Sequence, residues 1–217
     1  MKNYENVIIF DHPLIRHKIA ILRDEKTSMK EFRELVEEIT TLMTYESLKE
    51  GVPTTEIEVK TPLETCTQQV VADNSIVIVP ILRAGLGMVN GIHVLFPSAR
   101  VGHIGMYRDE ETLQPQSYYC KLPNGIEDKL VLVVDPMLAT GKSFEAAYKA
   151  YLTHGTPAKL HIVAVVASEQ GVAYLQKLFP SDEVTLWCAV IDPELNSLSY
   201  IVPGLGDCGD LCYGEKL

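Results

Sequence analysis

The chain is 217 residues long and 47% apolar, with a formal net charge of −10 and five cysteines. That length supports a single α/β domain over residues 1–217 with a sizeable core. The acidic balance speaks against a nucleic acid held by general electrostatics. No window approaches the roughly 20 apolar residues of a membrane span, and the odd cysteine count, without a CxxC pair or zinc spacing, predicts reduced thiols in a cytoplasm.

In chain order, the N-terminus offers only Val7-Ile8-Ile9-Phe10 as an apolar run, too short for an export signal. His12-Pro13-Leu14-Ile15-Arg16-His17-Lys18 follows, and its two histidines read as structural. Ser28 can cap a helix from Met29 to about Lys49, because Phe32, Leu35, Val36, Ile39, Leu42 and Met43 recur at helical spacing. Ser75-Ile76-Val77-Ile78-Val79-Pro80 predicts a buried strand, followed by a turn at Arg83-Ala84-Gly85 and a helix from about Leu86 to Leu95. Arg100 to Met106 predicts another strand.

Tyr107 to Leu122 is too long for a simple crossover without a helix, and its Pro115-centred middle reads as the tip of a protruding hairpin arm. Such an arm can close over a site or reach a partner subunit, while Asp109-Glu110-Glu111 reads equally well as a solvated face. Lys129 to Asp135, His161 to Ala167 and Val184 to Val190 predict further strands. Alternation with helices, one of them from Ser143 to Thr153, calls for right-handed crossovers and a mainly parallel sheet flanked by helices.

Two strand ends carry phosphate chemistry. Val131-Leu132-Val133-Val134-Asp135 is a buried parallel strand stopping on a carboxylate, where open α/β sheets bind ligands. The following Pro136-Met137-Leu138-Ala139-Thr140-Gly141-Lys142-Ser143 turns into a helix N-terminus, whose unpaired N–H groups and dipole favour an anion. The small residues let the backbone approach a phosphate, and an ordinary turn with a capping Ser143 is the competing reading. Gly141-Lys142-Ser143 is not a nucleotide P-loop, since that motif requires glycine where Pro136 stands. Pro80-Ile81-Leu82-Arg83-Ala84-Gly85-Leu86-Gly87 is a second turn of this kind with one guanidinium, so the pair suggests a ligand with phosphates at both ends. Near the C-terminus, Ile201 to Asp210 packs three glycines and two carboxylates into ten residues, and its exposed backbone can read the edge of a flat heterocycle.

These segments together resemble the uracil phosphoribosyltransferase family. The motifs are Val133 to Gly141, Pro80 to Gly85, Gly105 to Thr112 and Tyr200 to Asp207, in family order from His12-Pro13-Leu14 to the C-terminus. The resemblance implies a type I phosphoribosyltransferase fold with a small hood, and transfer of phosphoribosyl from 5-phosphoribosyl 1-diphosphate to uracil, with Mg²⁺, giving UMP and diphosphate. It further implies that residues 135–143 hold the ribose and 5′-phosphate, with Asp135 toward the ribose hydroxyls. Arg83 and Arg108 bind diphosphate. Ile201, Gly206 and Cys208 meet uracil largely through backbone, and Asp207 faces the donor through the water shell of the metal and borders the base. The family is usually dimeric or larger, and GTP activates some bacterial members.

Two departures stand out. The family pattern continues Thr-Gly-Gly-Ser, but Lys142 replaces the second glycine; Lys there is strained by roughly 1 kcal/mol if the site needs positive φ, or otherwise adds an ammonium near the phosphate. Cys208 stands where the family usually has Ala, and would narrow the base pocket if it points inward. Asp135-Pro136 in place of two adjacent carboxylates agrees with the uracil branch over hypoxanthine or orotate as acceptor. A pyrimidine-responsive RNA-binding regulator on the same fold, or a paralogue that binds without catalysis, are the competing functions. The missing Lys/Arg cluster counts against the first, and the retained Arg83, Arg108, Asp135 and Asp207 against the second.

Overall fold

The structure, a computed structural model, describes residues 6–49, 51–109, 115–179 and 183–215, with Arg108 by its backbone alone. A short strand, β1 (Val7–Ile9), leads into helix α1 (Pro13–Leu22), which the sequence reading does not anticipate. His12 has the structural role expected of it: its Nδ1 accepts the Leu14 N–H at 3.2 Å, and Pro13 takes the first helical position, where a missing N–H costs little. Ser28 caps α2 (Met29–Ser47) by accepting the Glu31 N–H at 3.3 Å. Strands β2 (Thr54–Lys60) and β3 (Thr65–Val71) then pair into a separate antiparallel ribbon, also absent from the sequence reading.

The buried strand β4 (Ile76–Leu82) is followed by helix α3 (Leu86–His93). The strand expected over Arg100 to Met106 is two pieces, β5 (Arg100–Val101) and β6 (His103–Arg108), which keep one register along β4. The interruption falls at the level of Pro80, which has no N–H to give the ladder. β7 (Pro115–Lys121) runs antiparallel to β6 from His103↔Lys121 to Arg108↔Pro115, so the arm begins four residues earlier than its expected start at Tyr107. Its middle, with Glu110, Glu111, Thr112 and Gln114, lies outside the described residues.

The remaining elements are β8 (Leu130–Val134), β9 (Met137–Leu138), α4 (Lys142–Leu152), β10 (Lys159–Ser168), α5 (Glu169–Leu178), β11 (Val184–Asp192), β12 (Glu194–Leu195), β13 (Ile201–Val202) and α6 (Cys208–Tyr213). The main sheet has the order β1-β11-β10-β8-β4-β6-β7 and is parallel except for β7, the mainly parallel α/β class expected. Successive residues of its central strands face opposite sides, so each strand feeds two cores. Leu130, Leu132 and Val134 pack with α1, α2, α3 and α6, while Val131 and Val133 pack with Phe144, Ala147 and Tyr151 of α4 and Val172 and Leu175 of α5. No helix among the described residues is long and apolar enough to cross a membrane.

Candidate active site

β4 and β8 lie side by side with Pro80 opposite Val134, so Arg83 and Asp135 leave the sheet at the same end. Gly85 makes the two exits compatible. Its N–H bonds the Ile81 carbonyl at 2.9 Å, and a Cβ there would stand 2.4 Å from the Val134 carbonyl oxygen, so only glycine lets the Arg83 turn fold against the end of β8. The Leu82–Arg83 peptide is cis.

The stretch from Asp135 to Ser143 divides into parts with different tasks. The Asp135 N–H bonds Val163 O at 3.2 Å, Pro136 has no N–H to donate, and pairing to β10 resumes as β9 with Met137↔Val166. The Asp135 carboxylate closes this break by accepting the Met137 N–H at 3.2 Å. Pro136 and Leu138 are buried, and Leu138 belongs to the core, so only the backbone of that pair is near the strand end. The part open to an anion therefore begins at Ala139. Gly141, at φ +81°, caps α4, and Lys142 is the first helical residue. The demand for positive φ falls on Gly141, so Lys142 sits without strain, and Ser143 is not the cap that an ordinary turn would make it.

Helix α5 backs this loop, a support that the sequence reading missed. Ser168, fully buried, donates from Oγ to the Ala139 carbonyl at 2.5 Å and accepts the Gly171 N–H at 2.9 Å as the cap of α5. With Ala139 O turned back toward α5, the amides that follow it can face an anion. Tyr174 lies over Gly141 and donates its hydroxyl to Glu145 in the first turn of α4. The bond from Lys149, then the one from Tyr174, holds the Glu145 carboxyl below the usual carboxylate range. Ser168→Ala is expected to raise the KM for a phosphate-bearing substrate several-fold and to cost about 1–2 kcal/mol in urea denaturation, because the half-buried Ala139 carbonyl and the helix cap both lose their partner. A Ser-x-x-Gly step at the end of an apolar strand was the legible sign of this cap.

The C-terminal segment completes the site. β12 and β13 pair antiparallel with Leu195 opposite Ile201, and Ile201 is buried, while Gly206 is exposed at φ +84°. The loop expected to run to Asp210 ends at Asp207, whose Oδ1 accepts the Asp210 N–H at 3.0 Å to cap α6. Cys208 then begins a helix, and its side chain belongs to the apolar core with Sγ 4.0 Å from Cys212 Sγ. The thiol thus acts through packing, not by lining an open pocket. Arg83 joins the two halves: Nη2 meets Asp210 Oδ1 at 2.5 Å and Nη1 meets the Gly214 carbonyl at 3.3 Å. The arm places the Arg108 backbone opposite Pro115, beside the same strand ends.

Among the described residues no group of three or more His, Cys, Asp or Glu side chains is placed to hold a metal. Mg²⁺ commonly takes one or two carboxylates and completes its shell with water and substrate phosphates. Asp135 and Asp207, on two segments that reach one end of the sheet, fit such a set.

A parallel sheet with a carboxylate and a glycine-capped anion loop at its strand ends, an antiparallel arm alongside and a C-terminal hood is the architecture of a type I phosphoribosyltransferase. Residues 8–215 match the family model "Uracil phosphoribosyltransferase". Curated relatives of that name include one from Thermoanaerobacter sp. (strain X514), 51% identical over 213 residues, covering 98% of this chain and 100% of the relative. Another, from Brevibacillus brevis, is 49% identical over 210 residues, covering 97% and 99%. A solved structure of the AQ2163 protein of Aquifex aeolicus superimposes with a TM-score of 0.91 at 37% identity, over 97% of this chain and 99% of that one. The chain belongs to the uracil phosphoribosyltransferase family.

Proposed function

We propose that this chain transfers the phosphoribosyl group of 5-phosphoribosyl 1-diphosphate to uracil, forming UMP and diphosphate in pyrimidine salvage. The observation that carries this reading is the meeting of the Arg83 turn, the Asp135 break and the C-terminal hood through Gly85 against Val134 and Arg83 against Asp210. Support for the acceptor comes from the name shared by relatives about half identical over almost the whole chain.

In this mechanism the amides of residues 139–143 hold the 5′-phosphate at the N-terminus of α4, and Asp135 orients the ribose hydroxyls. Arg83 carries five N–H donors, more than its bonds to Asp210 and Gly214 use, and binds the diphosphate together with Arg108 from the arm. Mg²⁺ bound with the donor supplies further positive charge to the leaving diphosphate. As C1′ develops oxocarbenium character, the arginines stabilise the departing charge, and closure of the arm excludes water that would hydrolyse C1′. Ile201, Gly206 and Cys208 present backbone groups to the uracil edge, and Asp207 borders both substrates. No covalent nucleophile takes part.

The test is UMP formation from uracil and the donor with Mg²⁺, run beside cytosine, hypoxanthine and orotate. UMP from uracil alone is expected, and no UMP would refute the activity. Adding GTP to the same assay reads out the effector that some bacterial relatives respond to.

Lys142 is assigned to the donor phosphate. A cation in the first turn of α4 opposes the helix dipole, which a bound phosphate reverses. Lys142→Gly is therefore expected to raise the donor KM about three- to tenfold, the scale of one charge-assisted contact. An unchanged or lower KM removes the assignment.

A homodimer or larger homo-oligomer is the proposed assembly. The β2–β3 ribbon is exposed at every residue except Val59, Cys66 and Val70, and Leu63 in its turn is 95% exposed. An isolated two-stranded hairpin is marginal in water, so a second copy of the chain is the natural cover. A cytoplasmic setting is supported by the five free thiols.

A further inference from the structure

Asp192 ends β11 opposite Ser168 of β10 and is 4% exposed. Its Oδ1 accepts from Nη2 of Arg23, the C-cap residue of α1, at 2.8 Å, and its Oδ2 accepts the Gly204 N–H at 2.9 Å. Gly204 lies in the turn after the cis Val202–Pro203 peptide, at φ +57°, two residues before Gly206. A carboxylate withdrawn from water keeps its charge in place only when both oxygens are matched. Here one oxygen is matched by a packed helix and the other by the backbone of the hood.

We infer that Asp192, held by Arg23, is a positioning residue for uracil: it fixes the turn at Gly204 and so sets where the backbone at Gly206 meets the base. The inference rests on the reading of residues 201–208 as the base contact. Ile201 is anchored by pairing to Leu195, and Asp207 by its cap on α6. The turn between these anchors receives its tie to the body of the domain from Asp192. Backbone recognition depends on such a tie, because carbonyl and amide positions move with the turn, and small misplacements of a reacting partner are costly.

The experiment measures KM for uracil, KM for the donor and kcat in Asp192→Ala, Asp192→Asn and the double variant Asp192→Asn/Arg23→Met, with amide exchange followed at Gly204. Asp192→Ala is expected to raise the uracil KM about tenfold or more, with the donor KM near that of the wild type and faster exchange at Gly204. Asp192→Asn faces Arg23 with an amide and leaves a partly buried cation without its partner. Removing that cation in the double variant restores an uncharged pair that still offers Gly204 an oxygen, so the uracil KM returns toward wild type. If Asp192→Ala does not fold, the two Asn variants carry the same comparison. Equal rises in both KM values, or an unchanged uracil KM, overturn the inference. Gly206→Ala separates the two readings: if it too leaves the uracil KM unmoved, the loop does not take the base, whereas a uracil KM moved by Gly206→Ala and not by the Asp192 variants overturns the positioning role alone.

Discussion

Asp135→Asn is expected to lower kcat/KM by on the order of 10²- to 10³-fold while the protein still folds, the size of effect seen when one preorganised electrostatic group is removed from a reacting centre. The structure supplies the reason that folding and activity separate. One carboxylate oxygen accepts the Met137 N–H at 3.2 Å and closes the break between β8 and β9, a task an amide oxygen can take over. What an amide cannot supply is the negative charge that the proposed mechanism places beside the ribose as C1′ becomes cationic. Asp135→Ala removes both functions, so it should lose activity to at least the same degree and also melt earlier. Steady-state kinetics with thermal unfolding of both variants makes the comparison. Wild-type kcat/KM in Asp135→Asn would remove the charge from the mechanism and leave Asp135 as a turn residue.

The second large effect is on stability. His161, the third residue of β10, is fully buried; among the described residues neither of its ring nitrogens is hydrogen-bonded, and it packs against Trp187, whose Nε1 likewise has no partner there. Burial, and secondarily the charge of Lys159, push its pKa down from 6.5 to about 4. In the folded protein the ring is therefore neutral at pH 7, and the unfolded chain takes up the proton first as pH falls. Stability is complete above the unfolded value of 6.5 and is lost as pH drops through the interval to about 4. The loss amounts to about 3 kcal/mol, at roughly 1.4 kcal/mol for each tenfold difference in proton affinity.

His161→Leu removes the titration while filling the space with apolar volume, and it also removes two unmatched buried nitrogens. Urea unfolding of both proteins between pH 7.5 and 4 should show the variant gaining about 3 kcal/mol relative to wild type as pH falls. A difference that stays constant across this range would place the acid sensitivity elsewhere. Carboxylates shared by the two proteins titrate equally and cancel in the comparison.

Asp192 and Ser168 show what kind of residue escapes a reading of the chain by itself. Asp192-Pro193 ends an apolar strand just as Asp135-Pro136 does, yet the Asp135 carboxylate closes the turn between β8 and β9 and that of Asp192 binds a helix and a hood. Nothing in the two dipeptides distinguishes them. Ser168 carried a local sign, a cap before a helix, but its second bond reaches back 29 residues to Ala139. The β2–β3 ribbon had alternating Ile57 and Val59 as its signal, diluted by polar residues that face solvent on both sides.

The sequence by itself determined the features that depend on neighbours along the chain. Continuous Val, Leu and Ile runs at β4, β8 and β10 demand burial on both faces, Ser28 and the helical spacing after it define α2, and the order of four motifs identifies the family. Only the tertiary structure decided which backbone positions and partners complete the site. It put the positive φ on Gly141 instead of Lys142, ended the C-terminal loop at Asp207 by starting α6 at Cys208, and joined Arg83 to Asp210 across 127 residues. Periodicity and capping report local geometry, whereas these contacts exist because strand order brings β4, β8 and the C-terminal hood to one end of the sheet, where packing leaves room for glycine and requires each buried charge to find a partner.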